Sequence, residues 1–424
     1  MGSKLNTLGL SQCPCLGALG LLGFLLALLP PLQAATPVTD ISLDNRNADE
    51  VGANLQRQKR LESLFSDWES PEWVQAYRRN RDRWFERIGL DLGATYDMAG
   101  LAAYGGGDPD YGLSGDLTVN GMWLLTGKKW DRPLNLNFRF RDRFAIGGRS
   151  ASEVAGATGG VIWNLIDGFS NAGFEVPDFH FVQHLPRIGM VIRYGQMTID
   201  SQFDGNGLQS SKQAFFNRAF SSNPAVAFPR FGAGAVATWT PENSGFDFTL
   251  GATNVQGTQN GEQVDFKFAS SDFFTAAQVG RDFNLWNRPA RAQFMVWHSD
   301  GVDSDQTPAG SGASLTFERW IASSGNRVFV RGAWADGEAT DADRLVSAGI
   351  ALERQENDLF GVAAGLGRDS SGNHEWQAVI ESFYRWQIGP MIQISPEAQI
   401  VFGEGMEPSH PFRLVAGLRA QISF

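Results

Sequence analysis

Cysteine is almost missing from this chain. Its two cysteines, Cys13 and Cys15, both lie near the N-terminus, and residues 36–424 contain none. Beyond that point disulfides, thiolate metal sites and a cysteine nucleophile are all excluded. Long apolar runs are also missing after Ala35, so no transmembrane helix is expected there. Nucleophile motifs are lacking too. No G-x-S-x-G elbow occurs, and no serine is tied by spacing to a base and an orienting carboxylate. A glycine-rich stretch at Gly232-Ala-Gly234-Ala-Val-Ala237 mimics a dinucleotide fingerprint but lies inside a strand pattern with no helix after it. Neither a cofactor nor a metal is expected. Of the five histidines, His180 and His184 share strand parity without a third ligand. Acidic clusters at Asp300, Asp303 and Asp305 and at Glu338, Asp341 and Asp343 lack EF-hand spacing and read as solvated outer loops.

The one long apolar run comes first. Lys4 is the only charge before Asp40, Leu16 to Leu29 has no polar residue, and Pro30-Pro31 and then Ala34-Ala35 follow. A basic start, a short apolar core and a small-residue exit describe a secretory signal peptide, expected over 1–35. The core is shorter than the roughly 20 residues a membrane span needs. Loss of Lys4 takes the formal charge from −11 to −12, which argues against nucleic acid as a partner.

Two periods divide the rest. From about Asn47 to Arg87 the spacing is helical. Leu61, Leu64, Phe65 and Trp68 share one face, Ser70-Pro71 reads as an N-cap with proline at the first helical position, and Trp73, Val74, Tyr77, Trp84 and Phe85 follow. Residues 36–87 are therefore a leader and a helical segment, packed under a barrel or tethering it at the periplasmic side. A plug or peptidoglycan-binding role is the less favoured reading.

From Ile88 to Phe424 the period is two. Phe412, Leu414, Ala416, Leu418, Ala420, Ile422 and Phe424 alternate with Arg413, Val415, Gly417, Arg419, Gln421 and Ser423. Leu134, Leu136, Phe138 and Phe140 alternate with Asn135, Asn137, Arg139, Arg141 and Arg143. Apolar-out, polar-in dyads of about ten residues mark a transmembrane β-barrel wall. A soluble sandwich would turn its apolar face inward, and three successive arginines on one face need water or counter-charge. Sixteen antiparallel strands are expected between 88 and 424. Long gaps (147–176, 198–231, 255–269, 300–310) follow odd-numbered strands, and short ones (185–186, 242–244, 323–324, 389) follow even-numbered strands. Long outer loops, short periplasmic turns and even parity are the pattern of an outer-membrane barrel. Sixteen to eighteen strands enclose an aqueous channel.

Parity places a lumen face containing Asp91, Asp97, Arg139, Arg141, Arg143, Arg193, Arg291, Glu318, Arg327, Arg331, Glu381, Arg385, Glu397, Arg413 and Arg419. Guanidinium–carboxylate pairs donate to and accept from hydroxylated solutes. Phe383, on the side of Glu381 and Arg385, offers a ring to stack on a sugar. For any one of these residues, bracing of the wall is the simpler role. The 198–231 loop carries Phe215, Phe216, Phe220 and Phe228 and is expected to fold inward and narrow the channel.

The chain resembles the carbohydrate-selective outer-membrane porin family, the OprB type. The resemblance rests on Ile88-Gly-Leu-Asp-Leu-Gly-Ala-Thr-Tyr96, on Phe216-Asn-Arg-Ala-Phe-Ser-Ser-Asn-Pro-Ala-Val-Ala-Phe-Pro229, and on Gly234-Ala-Val-Ala-Thr238. Its most specific part joins Glu381-Ser-Phe-Tyr-Arg385, Ile394-Ser-Pro-Glu-Ala-Gln-Ile400 and Gly417-Leu-Arg-Ala-Gln-Ile-Ser-Phe424. It implies a Gram-negative outer-membrane location, a sixteen-stranded barrel, passive passage of glucose-like sugars and no enzymatic activity. The partners to expect are small sugars, outer-membrane lipid and the barrel-insertion machinery, which would read the strand ending at Phe424, with a homotrimer as an allowed assembly. A channel preferring anions or organic acids, a barrel-borne hydrolase and an adhesin are the alternatives.

Overall fold

A computed structural model describes residues 50–65, 71–105, 110–126, 133–157, 162, 164–257, 261–266, 272–302, 308–321, 326–336, 338–354, 357–371, 375–403 and 412–424. The expected signal peptide, Trp68, Ser70, Asp303, Asp305, His374 and His410 lie outside the described residues. No described helix is long and apolar enough to cross a membrane.

Sixteen antiparallel strands close into one barrel, each paired with its sequence neighbours and β1 with β16. They are β1 (Leu90–Tyr104), β2 (Asp110–Leu124), β3 (Leu134–Ala145), β4 (Gly173–Leu185), β5 (Met190–Met197), β6 (Gly232–Trp239), β7 (Phe246–Asn254) and β8 (Phe273–Leu285). Then follow β9 (Arg288–Ser299), β10 (Gly310–Trp320), β11 (Arg327–Asp336), β12 (Ala342–Glu353), β13 (Leu359–Asp369), β14 (Trp376–Ile388), β15 (Ile392–Gly403) and β16 (Phe412–Ser423). Every expected strand is present. β8 runs on to Leu285 through Arg281, Asp282 and Asn284, where the alternation of apolar residues fades.

Alternation decides the two faces. On β16, Phe412, Leu414, Leu418 and Ile422 are 37–56% exposed, whereas Arg413, Arg419 and Gln421 are at most 3% exposed. Charged residues are covered and large apolar ones open, the inverse of a water-soluble core and the pattern a bilayer stabilises. Near the ends of β2, β6, β8 and β14, Trp123, Trp239, Trp286 and Trp386 face outward, and the indoles of Trp123 and Trp239 donate to the carbonyls of Ile88 (2.9 Å) and Ile188 (3.0 Å). Such a girdle suits the membrane–water boundary, where a ring needs both an apolar and a wet side. The β8–β9 turn is Trp286–Asn287, both at positive φ (49° and 58°), the backbone a tight two-residue hairpin requires. The last residue closes the seam: Phe424 exchanges backbone hydrogen bonds with Ala94 (2.8 and 3.2 Å) and packs on Trp73, ring centres 5.4 Å apart.

Two helices precede the barrel, α1 (Glu50–Leu64) and α2 (Glu72–Ile88), and two short ones, α3 (Ala151–Ala157) and α4 (Arg218–Ser221), lie in outer loops. The sequence reading of α1 needs correcting. Its buried stripe is Val51, Leu55, Gln58 and Leu61, while Leu64 is 52% exposed, so the covered face is rotated from the expected one and includes a polar residue. Pro71 occupies the cap position before Glu72 rather than the first helical turn. The helix does not lie under the barrel. Gln58 donates to the Ala94 carbonyl (3.4 Å), Lys59 pairs with Asp91 (2.5 Å), and Arg57 donates to Gln421 (3.2 Å), contacts made inside the wall. A Cβ at Gly93 would stand 2.1 Å from Gln58 Oε1, so only glycine admits the helix that close. Below it, Arg81 of α2 bridges Asp91 (2.6 Å) and Gln58 (3.1 Å).

Candidate functional site

The lumen is unevenly filled. On the side of β1 and β11–β16 a hydrophobic mass occupies it: Leu165, Ile166 and Phe169 from the loop after β3, and Leu208, Phe215, Phe216 and Phe220 from the loop after β5, against Leu101, Phe329, Leu345, Val379 and Phe383 of the wall. Phe215 is the hub, edge-on to Phe383 at 4.9 Å and near Phe220 (5.3 Å) and Phe329 (6.3 Å). The 198–231 loop therefore lies inside the barrel, where aromatic burial holds it with no cost of exposed rings.

Polar wall groups fasten that loop at both ends of its crossing. Asp204 accepts from Thr316 (2.6 Å), Ser314 (2.8 Å) and Asn223 (2.6 Å) and pairs with Arg331 at 3.0 Å. Across the lumen, Glu381 accepts from the backbone N–H groups of Phe216 (2.5 Å) and Asn217 (2.9 Å). Arg419 donates to the Ala214 carbonyl (3.0 Å), Arg385 to that of Gln213 (2.9 Å), and Gln399 accepts from Asn217 (2.9 Å). Lys212 spans Asp97 (3.1 Å) and Asp116 (2.9 Å). Burial pulls its ammonium down, and the charges of Asp116 and Asp97 more than offset this, so Lys212 is held above the ordinary lysine range.

Two groups of the sequence-assigned residues result. Glu381, Phe383, Arg385, Glu397 and Arg419 gather beneath the loop. Phe383 is only 2% exposed with its ring against Phe215, so the expected sugar-stacking platform has no open face. Arg139, Arg141 and Arg143 gather on the other side, on β3. Arg139 pairs with Asp178 (2.7 Å) and donates to Thr198 (2.7 Å), while Arg141 (3.1 Å) and Arg143 (2.6 Å) share Glu175, which also takes Arg230. Arg193 on β5 and Arg413 on β16 belong to neither group and are buried in the inner wall. Arg291 pairs with Asp247 (2.7 Å), Arg327 with Glu318 (3.4 Å) and Asp91 with α1 and α2.

Several members of these networks were not singled out from the sequence. Glu175 and Asp178 lie before and after Pro177, where a register shift between Arg139 and Arg141 breaks the parity count. Lys212, Asp204 and Arg230 sit in a loop, which has no period to read. Glu50, on the first turn of α1, pairs with Arg139. Asp200, after β5, is pushed up to about 7 by burial and by the neighbouring carboxylates of Glu50 and Asp167.

Known proteins resemble this arrangement. The model of the carbohydrate-selective porin, OprB family, matches residues 288–424, from β9 to the C-terminus. Porin AaxA of Chlamydia felis is 25% identical over 291 residues, covering 65% of this chain, and that of Chlamydia abortus is 24% identical over 298 residues with the same coverage. The chain spans 62% of the length of those relatives. Among solved structures, OprB of Pseudomonas putida at high pH superposes with a TM-score of 0.68 over 82% of this chain and 97% of that one, at 13% identity. Its low-pH structure gives 0.52 over 84% and 98%, also at 13% identity. What the fold and the relatives together show is a porin-type barrel. Residues 288–424 carry the sequence pattern of the carbohydrate-selective porin, OprB family, and the chain folds as a porin of that type.

Proposed function

We propose that this protein is an exported outer-membrane channel for passive diffusion of neutral carbohydrates of about hexose size. The observation that supports it most is the ladder on the inner face of β3, where guanidinium groups are paired to carboxylates rather than left as charge of one sign, so that donors and acceptors stand together. A neutral polyol replaces water on both kinds of group, while an ion meets a charge of its own sign at each rung. Liposomes carrying the mature protein should swell in glucose at a rate that rises with its gradient. Absence of swelling where salt conductance is present rejects the reading.

A second reading is a channel favouring organic anions. One observation favours it: Arg141, Arg143 and Arg230 converge on the single carboxylate of Glu175, and the side chain of Arg230 is 49% exposed. Swelling in gluconate against glucose, with reversal potentials across a salt gradient, separates the two. Strong anion preference without sugar entry selects the second.

A further inference from the structure

The first helix stands inside the conduit. It is about 22 Å long and, with side chains, about 10–12 Å wide, a large object within a sixteen-stranded barrel. Its polar contacts (Arg57, Gln58, Lys59) meet inward-facing or backbone atoms of β1 and β16. Its N-terminus continues across to β3, where Glu50 pairs with Arg139 while 43% of the Glu50 side chain stays in contact with water. A residue that is wet yet enclosed by the wall is a lining residue.

The charge count of the wall gives that contact its meaning. Among the described residues of β3 and β4, Arg139, Arg141 and Arg143 pair with two carboxylates, Glu175 and Asp178, and Glu175 also takes Arg230 from the loop after β5. Positive charge is therefore in excess around those strands. Glu50 supplies the third carboxylate from a different element. We propose that α1 is a resident selectivity element of the lumen, with Glu50 as a specificity-determining residue that offsets part of the arginine ladder's charge and so lets neutral solutes through with less enrichment of anions. This goes beyond the carbohydrate reading and rests only on the lumen conducting.

The test uses the mature chain, residues 36–424, in planar bilayers under a salt gradient. Glu50→Gln keeps the size and the helix and removes the charge. It should raise the anion-to-cation permeability ratio about twofold, because the countercharge lies within a Debye length of any ion passing the ladder. The conductance at symmetric salt should stay close to wild type. Glu153→Gln, which removes a carboxylate bonded to its own helix start at Ser150, should leave the ratio unchanged.

A second variant asks whether the helix stays in place. Arg57→Cys with Gln421→Cys, bridged by a bis-maleimide whose linker contains a reducible disulfide, ties α1 to β16 where their side chains meet, in a chain with no other cysteine after residue 35. With the bridge intact, conductance and ion preference should equal those of the same protein after reduction. A ratio unmoved by Glu50→Gln overturns the assignment. So does a crosslink that shuts a channel which reduction reopens, since the helix would then be a gate that must leave. Absence of any conductance in the unaltered protein would instead strike the porin reading itself.

Discussion

Asp204→Asn is the most informative single change to the loop inside the barrel. The position has φ of 52°, a left-handed conformation that asparagine tolerates, so the exchange adds little backbone strain. Asp204 and Arg331 are 1% and 0% exposed, and the carboxylate divides its work between two oxygens. One accepts from Ser314 and Thr316, whose hydroxyls can rotate and accept from an amide instead. The other faces Asn223 and Arg331 and must remain an oxygen. The amide has an orientation that keeps the hydrogen bonds and loses only the charge opposite Arg331. A buried hydrogen bond to a charged group contributes about 1.5–3 kcal/mol, below the 3–5 kcal/mol of removing a partner outright. If that cost falls on loop docking, the docked state loses roughly 10- to 150-fold in its equilibrium. Single-channel records should show a second, higher conductance level, and proteases should cut near 205–213 faster than in wild type. Asp204→Asn with Arg331→Met removes both charges and should recover part of the loss. Wild-type conductance and protease resistance in Asp204→Asn, or a double variant worse than the sum of the singles, would refute the reasoning.

Deleting residues 205–222 removes the crossing part of the loop and should raise single-channel conductance; an unchanged value sinks its role as a constriction. Phe215→Ala empties the centre of the aromatic cluster and should lower stability by about 3–5 kcal/mol in denaturant unfolding of the reconstituted barrel. Asp200 holds its proton up to about pH 7 in the folded chain but releases it near 4 when unfolded. Its contribution to stability is therefore present below about pH 4 and is lost as pH rises through about 7, and the lumen gains a negative charge over the same range. Cation preference should increase from pH 6 to 8, with Asp200→Asn flattening the change, as read by reversal potentials.

What the sequence could and could not reveal follows from periodicity. Each strand has one face in lipid and one in the lumen, so a period of two is written along the whole wall, and all sixteen strands could be read from it. The side that Arg139, Glu381 or Arg419 faces follows from the same count. Where the lumen is open does not. Phe383 and Arg141 carry the same inward parity, yet one is sealed beneath Phe215 and the other borders Glu175. The difference is made by residues 198–231, which belong to no strand. Long-range partners of a loop, such as Lys212 with Asp97 and Asp116, leave no local trace. The helix showed its period but not its docking, because the stripe it buries includes Gln58, which bonds to the Ala94 carbonyl and takes Arg81. That stripe was rotated from one drawn on apolar residues alone.

The central claim, a porin that admits neutral sugars, is tested most directly by bilayer conductance of the purified protein with a sugar titration. The account predicts stable ohmic channels whose current falls in a saturable way as glucose is added, together with glucose-driven swelling of the same protein in liposomes. Channels whose current ignores glucose, in liposomes that do not swell in it, would contradict the account.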